Sequence, residues 1–545
     1  MGLVPQHLYS AFFRPGVARM RRKVLGNNQG KGESMSLAAF LRHDAERFPG
    51  KTAIYYENTE ITYGQLDLEV DHLTNGLLGL GLKHQEMVAL MLSNSPDFVR
   101  SFFGITRAGG VVVPLNPFYK GEEITYILND ASVVFLVTSP ALLPLIQSVW
   151  GDIPSLRQVI ITEGGKAENI VPLKQLLGQS GDPVDTAVKP GDIAACLFTS
   201  GTTGRPKGAL LSHGNLIFDV QAATSRIEFR PEDRHLCVLP MFHSFALTAS
   251  VLCPFYTGGS MAILPHFSSG LVLEEIRSKK LTVFCGIPSM YAAMLPALEN
   301  INSDDLQSLR LFVSGGAPMP VEIMQKFERK YRITILEGDG PTETSPVSYA
   351  NPPCLRKIGS VGPPLEGVRV SILDENEMRL PVDEIGEICI QGPNVMQGYL
   401  NQPEATAEAM KGGWFHTGDL GKVDQDGYVY IVDRKKDMII VGGLNVYPRE
   451  VEECLYKHPK VAEVAVIGAP DDLHGEIPVV IIVLKPGEST DSKEFILYCR
   501  KFLANYKCPR RVVFAESLPL TATGKVDKKK LRKEYGTVRA GNHLW

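Results

Sequence analysis

Ten consecutive residues concentrate the groups that bind phosphate: Thr199-Ser200-Gly201-Thr202-Thr203-Gly204-Arg205-Pro206-Lys207-Gly208. They follow an apolar run, 193–198, that has the composition of a buried strand. Glycines let backbone N–H groups approach an anion, hydroxyls donate hydrogen bonds, and Lys207 adds a positive charge. Lys207 is followed by glycine rather than by serine or threonine, so the run is not a P-loop. The spacing predicts a polyphosphate cradle, with a polar surface turn as the alternative.

The composition is that of an ordinary globular chain. It has 545 residues, of which 44% are hydrophobic and 21% charged, and a net charge of −4. This charge gives no sign of a nucleic-acid partner, and no apolar run reaches the roughly 18 residues of an integral membrane segment. The nine cysteines lack a C-x-x-C pair. They argue against a disulfide framework and a zinc site, and favour a reducing, cytoplasmic compartment.

Apolar strand patterns alternate with amphipathic helix patterns up to about residue 336. Two helix starts are marked: Thr62 precedes one, and Ser95 precedes another with proline in its first turn. Strands that are apolar throughout indicate a parallel sheet covered on both faces. The predicted fold class is α/β: a large N-terminal domain of parallel-rich sheets with a β-barrel-like subdomain after about residue 365, and a small mobile α+β C-terminal domain.

The chain divides into three predicted segments. Residues 1–34 form a basic extension without a hydrophobic pattern. We expect it to be disordered and dispensable; a presequence and an artefact of an upstream start codon are the alternatives. Residues 35–433 form the large domain, and 434–545 form the small domain with a hinge near Lys436.

Four further motifs accompany the cradle in a fixed order. They are Asp339-Gly340-Pro341-Thr342-Glu343, Trp414-Phe415-His416-Thr417-Gly418-Asp419, the charged and Gly-rich run 433–450, and Thr523-Gly524-Lys525. With this order and spacing, residues 37–535 resemble the adenylate-forming superfamily of acyl-CoA synthetases, luciferases and peptide-synthetase adenylation domains. Segments 392–396 and 431–453 look most like bacterial medium- or long-chain fatty acid–CoA ligases.

The resemblance implies a two-step ligase that uses ATP, Mg²⁺ and coenzyme A. A small-molecule carboxylic acid first attacks the α-phosphate of ATP, giving an acyl-adenylate and pyrophosphate. The thiol of coenzyme A then displaces AMP and forms a thioester. Similar enzymes rotate the small domain between these steps, so that one site serves both reactions.

The resemblance also implies roles for individual residues. In the cradle, the residues that match the loop holding the β- and γ-phosphates are Thr199, Ser200, Gly201, Thr202, Thr203, Gly204 and Lys207. Thr342 matches the residue near the α-phosphate, and Glu343, with Thr202, is the expected Mg²⁺ site. Asp419 matches the carboxylate that accepts both ribose hydroxyls, and Arg434 the arginine at ribose or phosphate. The remaining predicted cofactor-binding residues are Gly316, Ala317, Pro318, Asp339 and Gly340.

Two matches concern the mobile domain. Lys525 matches the catalytic lysine that neutralises charge between the attacking carboxylate and the α-phosphate. Gly443 falls where the pantetheine arm of coenzyme A passes close to the backbone.

The acyl pocket is predicted from segments 241–245, 286–291 and 314–318. His243 is a candidate catalytic gate or pocket wall, with a packed core histidine equally open. No Lys or Arg lies in these segments. A monocarboxylic acid with a mainly apolar tail is therefore expected.

One position departs from the family pattern. Relatives carry an aromatic residue that stacks on adenine where this chain has Asp339. A non-catalytic acyl-nucleotide binder is thus kept as an alternative. An aryl-acid ligase of the coumarate or benzoate type is a further alternative, because it would have the same scaffold and differ only in the pocket. The sequence leaves the oligomeric state open, and it is compatible with a dimer and with peripheral membrane contact.

Overall fold

The computed structural model describes residues 36–165, 167–178, 182–184, 186–199, 205–297, 306–521 and 524–536. The predicted extension 1–34 lies outside the described residues, as do Ser200, Gly201, Thr202, Thr203 and Gly204 of the predicted cradle.

Two eight-stranded sheets form the larger part of the molecule. The strands up to residue 350 are β1 (Thr52–Tyr56), β2 (Thr59–Thr62), β3 (Met87–Met91), β4 (Val111–Pro114), β5 (Phe135–Thr138), β6 (Gln158–Ile161), β7 (Ile170–Pro172), β8 (Ile193–Thr199), β9 (Lys207–Ser212), β10 (Arg234–Cys237), β11 (Ser260–Ile263), β12 (Val283–Gly286), β13 (Leu311–Ser314), β14 (Ile335–Asp339) and β15 (Tyr349–Ala350). The later strands are β16 (Arg369–Leu373), β17 (Gly386–Gln391), β18 (Gly398–Tyr399), β19 (Phe415–Val423), β20 (Val429–Arg434), β21 (Ile439–Val441), β22 (Leu444–Val446), β23 (Val461–Asp471), β24 (Gly475–Leu484) and β25 (Arg511–Phe514).

Helices connect most of these strands. They are α1 (Ala38–Arg47), α2 (Tyr63–Gly79), α3 (Pro96–Arg107), α4 (Gly121–Asp130), α5 (Leu143–Val149), α6 (Leu173–Leu177), α7 (His213–Ile227), α8 (Ser244–Ala246), α9 (Cys253–Thr257), α10 (Ser269–Lys279), α11 (Pro288–Ala297), α12 (Val321–Tyr331), α13 (Pro403–Ala409), α14 (Pro448–Tyr456), α15 (Ser492–Arg500) and α16 (Lys528–Tyr535). A π-helical turn, Leu247–Leu252, joins α8 to α9.

The two large sheets are parallel-rich, as predicted. One has the order β15-β14-β13-β12-β10-β11-β1-β2, and the other β18-β9-β8-β4-β3-β5-β6-β7. Their inner strands pair in parallel, and antiparallel pairs occur at β1–β2, β14–β15, β8–β9 and β9–β18. One continuous apolar core draws residues from both sheets, including Val112 of the second and Val283 of the first.

Local sequence signals explain where the first helices begin. Thr62 accepts a hydrogen bond from the backbone N–H of Gln65, whose side chain accepts one from the N–H of Thr62, a capping box that starts α2. Ser95 caps α3 in a similar way, with Pro96 at the first helical position. Both predicted helix starts are confirmed.

The region after residue 365 forms smaller sheets. Strands β16-β17-β19-β20 make an antiparallel four-stranded sheet, the segment predicted as barrel-like. Beyond Arg434, β22-β21-β24-β23 with β25 on β24 make a separate five-stranded sheet covered by α14 to α16. The change of sheet lies close to Lys436; the hinge itself stays a prediction.

Among the described residues, no helix combines the length and the apolar character needed to cross a bilayer. All nine cysteines are free thiols, and Cys354 is exposed whereas the others are buried.

Candidate active site

A cavity of about 940 Å³ lies where the large sheets, the small antiparallel sheet and the C-terminal segment meet. Its lining includes most of the described residues that the sequence assigned to the site: Thr199, Lys207, His243, Gly316, Asp339, Gly340, Thr342, Glu343, Asp419, Arg434 and Lys525. The most distant of these residues are 326 positions apart in the sequence. The fold therefore brings the side chains of separate sequence motifs into one cavity.

The phosphate side of the cavity is built on a hairpin. Strands β8 and β9 are antiparallel, with Thr199 opposite Lys207. The carbonyl of Pro206, just before β9, accepts a hydrogen bond of 3.1 Å from the hydroxyl of Tyr126. The Thr199 hydroxyl donates to Glu343 Oε1 over 3.3 Å. Thr199, the first residue of the predicted cradle, is therefore in contact with the carboxylate predicted to bind Mg²⁺.

Asp419 and Arg434 face each other on adjacent strands of the small sheet. They are register partners on β19 and β20, and Arg434 Nε lies 3.3 Å from Asp419 Oδ1. Burial raises the pKa of the Asp419 carboxyl to about 7; the charge of Arg434 opposes this rise, and those of Asp339 and Glu343 add to it. The carboxyl thus changes its charge near neutral pH.

Asp339 ends β14 and places its carboxyl in the cavity. Burial raises its pKa, whereas the positive charges of Lys525, Arg434 and Arg449 and a hydrogen bond from the Gly316 N–H favour the ionised form. The position expected from the resemblance to stack on adenine is therefore occupied by a carboxyl, with Lys525, Arg434 and Arg449 as the positive charges that act on it. The next residue, Gly340, packs so closely that an added Cβ would lie 2.2 Å from the carbonyl oxygen of Pro346.

Lys525 enters the cavity from a tight turn. Its backbone N–H donates to Thr521 Oγ1 over 3.2 Å, and its carbonyl accepts from the Thr521 N–H over 2.7 Å. Its Cε lies 3.6 Å from the point that a Cβ on Gly316 would occupy. Burial lowers the pKa of Lys525, while the charge of Asp339 opposes the change.

His243 is held as a neutral ring. Its Nδ1 accepts a hydrogen bond of 3.2 Å from the Phe245 N–H at the start of α8. Burial lowers its pKa to about 3, and the charge of Lys525 contributes. Because Nδ1 is an acceptor, a neutral ring carries its proton on Nε2 and can donate from there.

Three sequence assignments are placed elsewhere. Gly443 is not among the lining residues, and a Cβ added there would meet nothing within 4 Å. Ala317 and Pro318 are also absent from the lining, although Gly316 belongs to it.

The segment 286–291, expected in the acyl pocket, belongs instead to the core and to the support of Lys525. Tyr291 is buried, and its hydroxyl donates to the Val313 carbonyl over 2.8 Å. Ser289 donates to the carbonyl of Gly524 over 3.2 Å, beneath the turn that carries Lys525.

Tyr399 and Glu387 line the cavity but were not foreseen from the sequence. The Tyr399 hydroxyl donates to Glu343 Oε1 over 2.9 Å. Ser244, which belongs to the predicted segment 241–245, has its Oγ 3.0 Å from Thr342 Oγ1. His416 Nδ1 lies 3.4 Å from Glu387 Oε2. His416 stands in the motif that gave Asp419, but no spacing rule links Tyr399 or Glu387 to the cradle.

Family models match most of the chain. The AMP-binding enzyme family matches residues 41–400, and the AMP-binding enzyme C-terminal domain matches residues 450–525. The chain belongs to the AMP-binding enzyme family. The predicted superfamily is therefore confirmed.

Curated relatives include ligases for different acids. A long-chain-fatty-acid–CoA ligase of Bacillus subtilis is 36% identical over 532 residues, covering 92% of this chain and 94% of the relative. A feruloyl-CoA synthase of an Amycolatopsis species is 36% identical over 494 residues, covering 90% and 97%.

Solved structures of similar proteins agree with the fold. The anthranilate CoA ligase AuaEII in complex with anthranoyl-AMP has a TM-score of 0.86 and 32% identity, covering 92% of this chain and 97% of that protein. ATP-bound MatB from Rhodopseudomonas palustris also has a TM-score of 0.86, with 32% identity and 92% and 99% coverage. The apo form of MatB has a TM-score of 0.77.

The protein is therefore an AMP-forming acid–CoA ligase, whose reaction uses ATP, Mg²⁺ and coenzyme A. The cavity fits these groups: carboxylate and hydroxyl oxygens near Glu343 are the donors that Mg²⁺ prefers, and Lys207, Arg434 and Lys525 suit a polyphosphate.

Proposed function

We propose that this ligase activates a monocarboxylic acid with an apolar tail, a medium- or long-chain fatty acid. This proposal rests on the apolar side of the cavity. Its lining residues are Ala223, Ile227, Phe229, Phe242, Phe245, Ala249, Cys253 and Val313. Ala223 and Ile227 lie one turn apart on α7, which packs against the π-helical turn that contains Ala249. The charged lining residues belong to other segments, so an apolar tail meets no unpaired charge on this side.

An aryl acid of the coumarate or benzoate type is the second candidate. It is favoured by the aromatic side chains Phe229, Phe242 and Phe245 among the lining residues, because aromatic pairs contribute beyond their buried area. Feruloyl-CoA synthase and 4-coumarate-CoA ligase 1 are among the similar proteins.

The first half-reaction requires two anions to meet. Mg²⁺ supplies charge neutralisation at the phosphates. In this proposal, Glu343 orients the cation, and Lys207 holds the outer phosphates at the end of the cradle. Lys525 neutralises charge at the α-phosphate, and Asp419 accepts the ribose hydroxyls.

The arrangement of the C-terminal segment supports its assignment to adenylation. Lys525 lies inside the cavity, whereas Gly443 faces open space. The chain is also more similar to ATP-bound MatB than to apo MatB, with TM-scores of 0.86 and 0.77. We infer that thiol attack needs a second arrangement, in which the small domain has turned about the hinge near Lys436.

A chain-length series tests the substrate class. Burial of one methylene is worth about 0.8 kcal/mol, or roughly fourfold in kcat/KM. With saturated acids from C4 to C18, AMP release should rise with length until the pocket is full. Coumarate and benzoate should be poor substrates; a preference for either would establish the aryl alternative, and no pyrophosphate exchange with any acid would establish the non-catalytic binder.

Narrowing the pocket supplies the matched control. Ala223→Leu should lower kcat/KM for the longest accepted acid while sparing C4, because the added side chain fills the apolar side. Ser225→Leu lies on the same helix outside the lining and should change neither. Equal loss for all chain lengths in Ala223→Leu would refute this location for the tail.

A further inference from the structure

Tyr399 contacts two charged residues of the predicted phosphate site, Glu343 and Lys207. Its hydroxyl donates to Glu343 Oε1 over 2.9 Å, and Lys207 Nζ lies 5.2 Å from the centre of its ring. We propose that Tyr399 is a positioning residue, which holds the Glu343 carboxylate and the Lys207 ammonium in the geometry that receives the metal-bound phosphates. This inference rests on the proposed roles of Glu343 and Lys207.

The backbone keeps Tyr399 in this place. Its short strand β18 pairs antiparallel with β9, with Tyr399 opposite Ala209 and Gly398 opposite Leu210. The Leu400 N–H donates to the Gly208 carbonyl over 2.8 Å, and the Tyr399 N–H donates to Thr406 Oγ1 over 2.9 Å. Since β9 begins at Lys207, the tyrosine is fixed to the strand that carries the lysine.

The carboxylate of Glu343 is fixed through one of its oxygens. Among the described residues, Oε1 receives both side-chain hydrogen bonds, from Tyr399 and, over 3.3 Å, from Thr199. Two donors on one oxygen set the rotation of the carboxylate and leave Oε2 for a cation.

The ring acts separately on Lys207. A cation at about 5 Å from an aromatic centroid is attracted to the ring face, and the attraction grows as the site loses water. Lys207 is thereby held on the cavity side of β9, and no carboxylate of the described residues forms a salt bridge with it. The Tyr399 side chain thus positions two groups: the Glu343 carboxylate toward the metal and the Lys207 ammonium toward the phosphates.

Two substitutions separate these contacts. In the full-length protein, Mn²⁺ binding is followed by electron paramagnetic resonance in the presence of a non-hydrolysable ATP analogue. Tyr399→Phe keeps the ring and removes the donor, so Mn²⁺ affinity should fall roughly ten- to a hundredfold, the range for a hydrogen bond to a charged group. Affinity for the analogue without metal should stay within twofold. Tyr399→Leu should lower the metal-free affinity as well.

A second tyrosine provides the matched control. Tyr428 also lies beneath a lysine, with Lys357 Nζ 4.6 Å from its ring centre, and donates its hydroxyl to the Leu355 carbonyl. It is not among the cavity-lining residues. Tyr428→Phe should therefore leave Mn²⁺ affinity unchanged.

A double-mutant cycle tests whether Tyr399 acts through Glu343. If it does, Tyr399→Phe adds little to the loss of Mn²⁺ affinity caused by Glu343→Gln. Full additivity, a Tyr399→Phe affinity within twofold of wild type, or equal losses in Tyr399→Phe and Tyr428→Phe would each overturn the inference. Failure of the wild-type protein to bind Mn²⁺ with the analogue would instead refute the proposed function on which it rests.

Discussion

Replacing Lys525 should separate the two half-reactions. The lysine lies in a cavity with five acidic lining residues, among them Asp339, Glu343 and Asp419. Lys525→Ala removes a positive charge and leaves all of these carboxyls, so the attacking acid would meet an α-phosphate in a more negative site. The loss of one preorganised electrostatic group costs roughly 10²–10³-fold in rate, and we expect adenylate formation to fall by at least about a hundredfold.

The assay measures each half-reaction by itself. ATP–pyrophosphate exchange in the presence of the acid reports adenylation, and synthetic acyl-adenylate with coenzyme A reports thioester formation. Lys525→Ala should lose the first and retain the second at near the wild-type rate, because we expect the lysine to have left the site when the thiol attacks.

Gly443→Leu should give the opposite result. In the described arrangement a side chain at Gly443 meets nothing within 4 Å, so pyrophosphate exchange should be spared, whereas the pantetheine arm should be blocked. The φ of +82° at Gly443 adds backbone strain of roughly 1–2 kcal/mol. Gly487, which also has φ +82° and open space around it, is the matched control: Gly487→Leu carries the same strain and should spare both steps.

Equal slowing of both half-reactions in Lys525→Ala would refute the alternating-domain reasoning. So would a Gly443→Leu variant that forms thioester as fast as Gly487→Leu does.

Three further predictions concern the buried carboxyls. Asp339→Tyr restores the aromatic residue of relatives and should lower the KM for ATP by roughly two- to twelvefold, as aromatic pairing is worth about 0.5–1.5 kcal/mol; an unchanged or raised KM would mean that the cavity is adapted to the carboxyl. Asp419, with a pKa raised to about 7, accepts the ribose hydroxyls as a carboxylate, so the KM for ATP should rise roughly tenfold between pH 8 and pH 6, and Asp419→Asn should remove this dependence. Glu337 is buried with its pKa raised from 4.5 to about 7. Its ionised form opposes folding, and stability is lost as the pH rises from 4.5 to 7. Glu337→Gln should thus stabilise the protein by about 3 kcal/mol at pH 8 and little at pH 4.5, which thermal unfolding at the two pH values would check.

Features determined by neighbouring residues were predictable from the sequence. The capping box at Thr62, the serine–proline start of α3 and the apolar strand before the cradle all depend on contacts within a few positions. The motif residues of the site could also be assigned, since each belongs to a recognisable local run. Their side chains then meet because the motifs follow the ends of sheet strands.

Contacts between distant segments were not predictable. Tyr399 and Glu343 are 56 positions apart, and β18 has only two residues, too few to show a strand period. Phe242 and Phe245 of the apolar side lie in the predicted segment 241–245, but the part of that side on α7 was missed for another reason. Ala223 and Ile227 have the spacing of any core-facing helix stripe, and the sequence does not tell a lining residue from a core residue. Segment 286–291 shows the opposite case: it was predicted to line the acyl pocket but belongs to the core. Tyr291 is apolar enough for a pocket, but it is buried in the core.

The charges of the cavity divide along the chain. Its acidic lining residues are Asp339, Glu343, Glu387, Glu408 and Asp419, and its basic ones are Lys207, Arg434, Lys435, Lys436 and Lys525. All of the acidic residues precede residue 434, whereas every basic residue except Lys207 belongs to 434–545. If the small domain turns about the hinge near Lys436 as proposed, Lys525 leaves with it, whereas Arg434 stays on β20 beside Asp419 and the carboxyls remain with Lys207. The electrostatic attraction that holds pyrophosphate would then fall in the same movement that admits the thiol, so that release of the first product and entry of coenzyme A would be linked by charge as well as by shape.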